Sequence, residues 1–121
     1  MASLTAAKVK SLMHLTDGNI SDTNMEYVID QAINELNLEG NLDLPNMGGT
    51  AGSKTVSLES REAGAVQRVA RVIYYSFYKK LGSGGLSGMT ASSPDLASDP
   101  TVQQAVKEAA RRLVEIDVGY G

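Results

Sequence analysis

A chain of 121 residues with 42% hydrophobic content and a net charge of -3 fits one domain whose core needs neither a disulfide nor a metal. It has no cysteine, which removes disulfide scaffolds, thiolate zinc sites, iron-sulfur clusters and cysteine nucleophiles together. No stretch approaches the roughly 20 apolar residues that span a bilayer, and the acidic balance argues against a free-standing nucleic-acid binder held by phosphate contacts.

The opening MASLTAAKVKSLMHL lacks the continuous apolar core of a secretory signal and reads as a capped helix, so synthesis in the cytoplasm is expected. The first helix is predicted from about Leu4 to His14, capped by Ser3 or Thr5, with Val9, Leu12 and Met13 facing inward. Asp17-Gly18-Asn19 then turns the chain. Ser21 caps the second helix, with Ile20 and Met25 spaced as a hydrophobic staple. Met25, Val28, Ile29, Ala32, Ile33 and Leu36 form its apolar stripe, Asp22, Glu26, Asp30 and Glu35 lie largely outside it, and Gly40 ends it.

Residues 41–57 hold Pro45, three glycines and little periodicity, which predicts an irregular loop with a short extended segment over Lys54–Leu58. The longest helical run follows, from Glu59 to Leu81, with Ser57 or Ser60 as its cap. Val66, Val69, Ala70, Ile73, Tyr74, Phe77 and Leu81 make its buried face. Arg61, Arg68 and Lys79 share a narrow arc almost opposite, while Val72, Tyr75 and Tyr78 fall off the main stripe. A second irregular loop, 82–98, is rich in Gly and Ser. The last helix starts with Asp99 as N-cap and Pro100 in its first turn. It buries Val102, Val106, Ala109, Leu113 and Ile116, and gives way near Asp117 to a short tail, 117–121. The predicted fold is all-α: a single small bundle of about four helices around a long central helix, with two long loops.

Catalytic patterns are weak. His14 is the single histidine and has no cysteine or second histidine to complete a metal set, and no nucleophile-elbow motif surrounds any serine. Gly82-Ser83-Gly84-Gly85 follows a predicted helix and lacks the Gly-Lys-Ser/Thr ending of a phosphate loop. Glu26 and Asp30, one turn apart, could bind a cation but read more simply as a solvated face, and Asp17–Asp22 lacks the spaced oxygens of a calcium loop. No enzymatic activity, metal or cofactor is expected. Charge is unevenly spread: residues 1–40 set two lysines against six carboxylates, and residues 61–81 set five cations against Glu62 alone. Such opposed segments can attract within one molecule or between copies.

The segment LTAAKVKSLMHLTDGNISDTNMEYVIDQAINELNLEG resembles the opening of the small head-tail connector (adaptor) proteins of long-tailed bacteriophages. There a short Leu-Thr...Val-Lys helix leads through an Asp-containing turn to an amphipathic helix, matched here by Asp22, Val28, Ile29, Ala32 and Ile33. The resemblance implies a virion protein at the head-tail interface, in a ring of about twelve copies beneath the portal protein. Such a ring extends the DNA channel, with DNA passing non-specifically, and receives a stopper or tail-completion protein.

On that reading Arg61, Arg68 and Lys79 contact either DNA or an acidic face of the next subunit built from Glu26, Asp30 and Glu35. Val118 and Tyr120 in the tail anchor the portal. The bland reading of the cationic stripe is a solvated face. Two other functions fit a chain of this size, a head-completion or stopper protein and a helix-turn-helix DNA-binding regulator. The regulator's recognition helix would bear Asp22, Glu26, Asp30 and Glu35 and no cation, a poor match to phosphate.

Overall fold

The computed structural model describes residues 2–79 and 96–120, and the side chains of residues 2, 97 and 115–120 fall outside that description. The described residues form four helices and one two-stranded sheet, so the fold is mostly helical. In chain order these are β1 (Ala2–Thr5), α1 (Ala6–Leu12), α2 (Asp22–Gly40), β2 (Thr55–Leu58), α3 (Ser60–Ile73) with a π-helical turn at Tyr74–Tyr78, and α4 (Pro100–Tyr120). α3 packs against α2, α4 and β1, the place expected of a central helix, and α2 and α4 also pack on each other.

The first correction is at the start of the chain. Leu4 and Thr5, expected at the head of a helix, belong instead to a strand over residues 2–5 antiparallel to β2, with Leu4 opposite Val56 and Ala2 opposite Leu58. Both strands alternate: Leu4, Val56 and Leu58 are buried, while Ser3, Thr55 and Ser57 face out. Helix α1 therefore begins only at Ala6, capped by the Thr5 hydroxyl, which accepts from the Lys8 amide at 3.1 Å. It is short enough that Leu12, expected inside, is 58% exposed. His14 ends it in the left-handed region (φ 59°), and the His14 and Leu15 amides return to Ser11 and Lys10, a closure that glycine usually serves.

α2 follows its prediction closely. Ser21 accepts from the Asn24 amide, Ile20 and Met25 are fully buried as a staple, and the whole apolar stripe is at 0% exposure. Its end lies one residue later than expected: Gly40 is still helical, and Asn41 takes the left-handed cap (φ 51°). The missing side chain at Gly40 is explained by α4, because an added Cβ would come within 3.3 Å of Ala110 Cβ and 3.0 Å of Leu42 Cγ.

Segment 41–54 is fastened and not merely irregular. Asn37 accepts from the Leu44 amide and donates to its carbonyl (2.8 and 3.0 Å), and Asp30 accepts from the Met47 amide (2.9 Å). Leu44 and Met47 add to the core. The extended piece expected over Lys54–Leu58 is β2, prolonged by a bridge between Gly48 and Thr55.

Neither Ser57 nor Ser60 caps α3. Glu59 does so, in a reciprocal box with Glu62, whose carboxylate accepts from the Glu59 amide at 3.1 Å. At its other end the helix widens: the Lys79 amide reaches back five residues to Tyr74 O. The inserted residue turns the face, so Tyr78, expected off the stripe, is 2% exposed and donates its hydroxyl to Gln31 Oε1 at 3.0 Å. Phe77 is left half-buried.

The end of the predicted helix at Leu81 and the loop residues 82–95, including the glycine run 82–85, lie outside the described residues. Leu96–Ser98 is a single 3-10 turn that buries Leu96. Asp99 caps α4 as expected, accepting from the Val102 amide at 3.0 Å, and Val102, Val106, Ala109 and Leu113 are buried. α4 does not stop near Asp117 but continues to Tyr120, because Glu115–Val118 contains no breaker and one glycine within a helix costs only about 1 kcal/mol.

Candidate assembly surfaces

The cationic residues of α3 reach the surface, but not as one uniform stripe. Arg61, Arg68 and Lys79 are all exposed. Arg61 sits 3.4 Å from the Glu59 carboxylate, at the start of the helix. Arg68 lines a groove between α1 and α3 together with Val9, Leu12, Met13, Gly64 and Arg71. Gly64 forms an open stretch of that groove, since a Cβ there would meet nothing within 4 Å.

Lys79 borders an adjoining depression with Met13, His14, Tyr74 and Tyr75. Its ammonium lies 5.0 Å from the Tyr75 ring centre, and the Arg71 guanidinium lies 5.8 Å from the same ring. Arg68 and Lys79 thus belong to one cationic, partly apolar surface with Arg71, Tyr75 and Leu12. Arg68 has no ion pair or hydrogen bond among the described residues.

The three acidic residues expected on an outer face of α2 are engaged inside the molecule. Glu26 is 3% exposed, and its two carboxylate oxygens accept from the Gly52 and Lys54 amides at 2.8 and 2.9 Å. Gly52 adopts φ +91°, a conformation that leaves its amide aimed at the carboxylate and that L side chains rarely take. Asp30 holds the Met47 amide and, at 3.3 Å, the Asn46 side chain. Glu35, half-buried, accepts from Gln103 Nε2 at 3.0 Å and so ties α2 to α4. The expectation that Glu26 lies on the outer face is corrected: helical periodicity locates a polar residue but does not reveal a loop folding over it.

The sequence reading also passed over Lys10. It is 4% exposed and pairs with Asp17 and with Asp22, the latter at 2.9 Å, clamping the turn between α1 and α2. Burial by itself lowers the pKa of this ammonium, and the hydrogen bonds and charges of the two carboxylates outweigh it, leaving the pKa above its ordinary 10.5. The available signal was a lysine on the inner side of α1 followed by Asp17 and Asp22 bracketing the turn.

Among the described residues no group of three or more His, Cys, Asp or Glu side chains could hold a metal, and no helix is long and apolar enough to cross a membrane. His14 is exposed at the end of α1. Of the residues expected to anchor a portal, Val118 and Tyr120 lie on the last turn of α4, with side chains outside the description. Comparison of the chain with protein-family models, with curated proteins and with solved structures returns no match.

Proposed function

We propose that this chain is a virion assembly protein, a head-tail connector that forms a ring between the capsid portal and the tail. The observation that carries the reading is the α1–α3 surface, where Leu12, Arg68, Arg71, Tyr75 and Lys79 expose apolar and cationic groups together on a small helical scaffold. Aromatic and arginine side chains beside apolar ones are the composition of protein interfaces. The resemblance of the α1–α2 segment to connector openings supports the same role. Its mechanism is assembly: each copy contacts its neighbours and the portal, and the ring lengthens the path taken by DNA. The last turn of α4, with Val118 and Tyr120, is the portal-facing part in this proposal.

The test is capture. Purified protein is mixed with particles that carry a portal and lack a neck, and bound mass is measured against free mass by light scattering. Stoichiometric capture is expected, with loss of capture when residues 117–121 are deleted from an otherwise folded chain. Absence of capture, with sequence-selective binding to a duplex instead, would replace the connector by a DNA-binding regulator.

A further inference from the structure

The cationic groove has no acidic counterpart among the residues first expected to supply one, because Glu26, Asp30 and Glu35 hold the molecule's own loop and last helix. Five large apolar side chains are exposed among the described residues: Leu12, Tyr27, Leu38, Tyr75 and Val114. Leu12 and Tyr75 stand among Arg68, Arg71 and Lys79, and Val114 lines a groove with Lys107 and Arg111, whose far side is Glu39 at the end of α2. Tyr27 shares its depression with Lys54 and with the engaged Glu26 and Asp30.

Leu38 differs from these four. At 78% it is the most exposed of the five, and its near neighbours in the chain are the exposed carboxylates Glu39 and Asp43. Neither carboxylate has a hydrogen bond or ion pair among the described residues. Asp43 is kept beside the end of α2 because Asn37 binds both the amide and the carbonyl of Leu44.

The two patches lie toward different ends of the molecule. The clamp from Lys10 to Asp22 keeps α1 beside the start of α2. Leu38 stands sixteen residues farther along that helix, about 24 Å at 1.5 Å per residue.

Resting on the reading that the chain assembles with copies of itself, we propose that copies join head to tail. Leu38 of one copy seats in the groove between α1 and α3 of the next, beside Leu12 and over Gly64. Glu39 and Asp43 then face Arg68 and Arg71. Two unlike patches make a heterologous contact, which closes into a ring or extends as a filament according to the rotation between copies. Charge sets the orientation and register of the pair, and removal of the two leucines from water supplies the attraction.

The experiment uses two double variants of the full chain: Arg68→Glu with Arg71→Glu, and Glu39→Lys with Asp43→Lys. All four positions are exposed, so both variants keep the fold, which circular dichroism checks. Average mass is followed against concentration by sedimentation. The wild-type mass rises with concentration, and each variant alone, now meeting like charge, associates at least roughly tenfold more weakly. An equimolar mixture recovers association, because the reversed groove of one variant accepts the reversed knob of the other.

A wild type that stays monomeric, variants that associate like the wild type, or a mixture that fails to recover each overturns the contact. Particle capture separates this from the broader reading. Variants captured as well as wild type overturn the contact and leave the connector standing. Recovery in the mixture without any particle capture upholds the contact and removes the connector.

Discussion

Replacing Glu26 by glutamine preserves the shape of a buried side chain and alters only what its two oxygens can accept. In the native protein those oxygens take the Gly52 and Lys54 amides at 2.8 and 2.9 Å, two hydrogen bonds to a charged acceptor. Each such bond contributes roughly 1.5–3 kcal/mol. A glutamine carbonyl can accept one of them, and its NH2 group then opposes the other amide, donor against donor. The expected loss is about 2–3 kcal/mol, a large share of the roughly 5–15 kcal/mol that holds a domain of this kind together.

Glu26→Ala loses both bonds and packing, and should cost about 4 kcal/mol. Denaturant titration measures the loss, which for Gln corresponds to a fall in melting temperature of about 8–12 °C. Hydrogen exchange at Gly52 and Lys54 locates it. A Glu26→Gln protein within about 0.5 kcal/mol of wild type, with protection at those two amides unchanged, would refute the idea that this carboxylate fastens the 41–54 segment.

Alkaline stability tests three other groups. Burial raises the Tyr74 and Tyr78 phenols, and Lys10 is raised by its two carboxylates against the effect of burial. Each folded pKa lies above the unfolded one, so the contribution is complete below the ordinary values of 10.0 and 10.5 and is lost as pH climbs through the raised ones. Denaturation midpoints should therefore fall above about pH 10, and a flat profile to pH 12 would oppose this. Tyr78→Phe should cost about 1–2 kcal/mol by orphaning Gln31, and thermal melting reads it. His14→Gly relieves a left-handed residue and should raise stability by about 0.5–1 kcal/mol; a drop in melting temperature would contradict the cap geometry.

Where local rules and tertiary packing agree, the residues could be read directly. Ser21, the staple Ile20–Met25 and the α2 stripe each announce themselves within a few positions, as do the Asp99 cap and Pro100. β1 could not be read this way, because Ala2–Thr5 resembles a helix start until its partner, more than fifty residues on, supplies the other half of the ladder. The cationic side of α3 was visible as charge at helical spacing, but the groove was not, since Leu12 and Gly64 belong to it only after α1 is set against α3. The duties of Glu26, Asp30 and Glu35 were hidden for a related reason. Two of the three bind backbone amides, and an amide leaves no mark in a sequence.

The wide turn at Tyr74–Tyr78 also bears on how this helix tolerates changes in length. Losing one residue from a regular stretch of α3 would swing everything downstream by about 100° and pull the buried face out of the core. Within the wide turn the same loss does the opposite. Removing Ser76 would bring Tyr78 to four residues from Ile73, the ordinary α spacing, with its ring still over the core and Lys79 still outside. The turn has the form of a single-residue insertion confined to one turn of helix, and a lineage carrying this helix could gain or drop that residue without rebuilding the packing on either side.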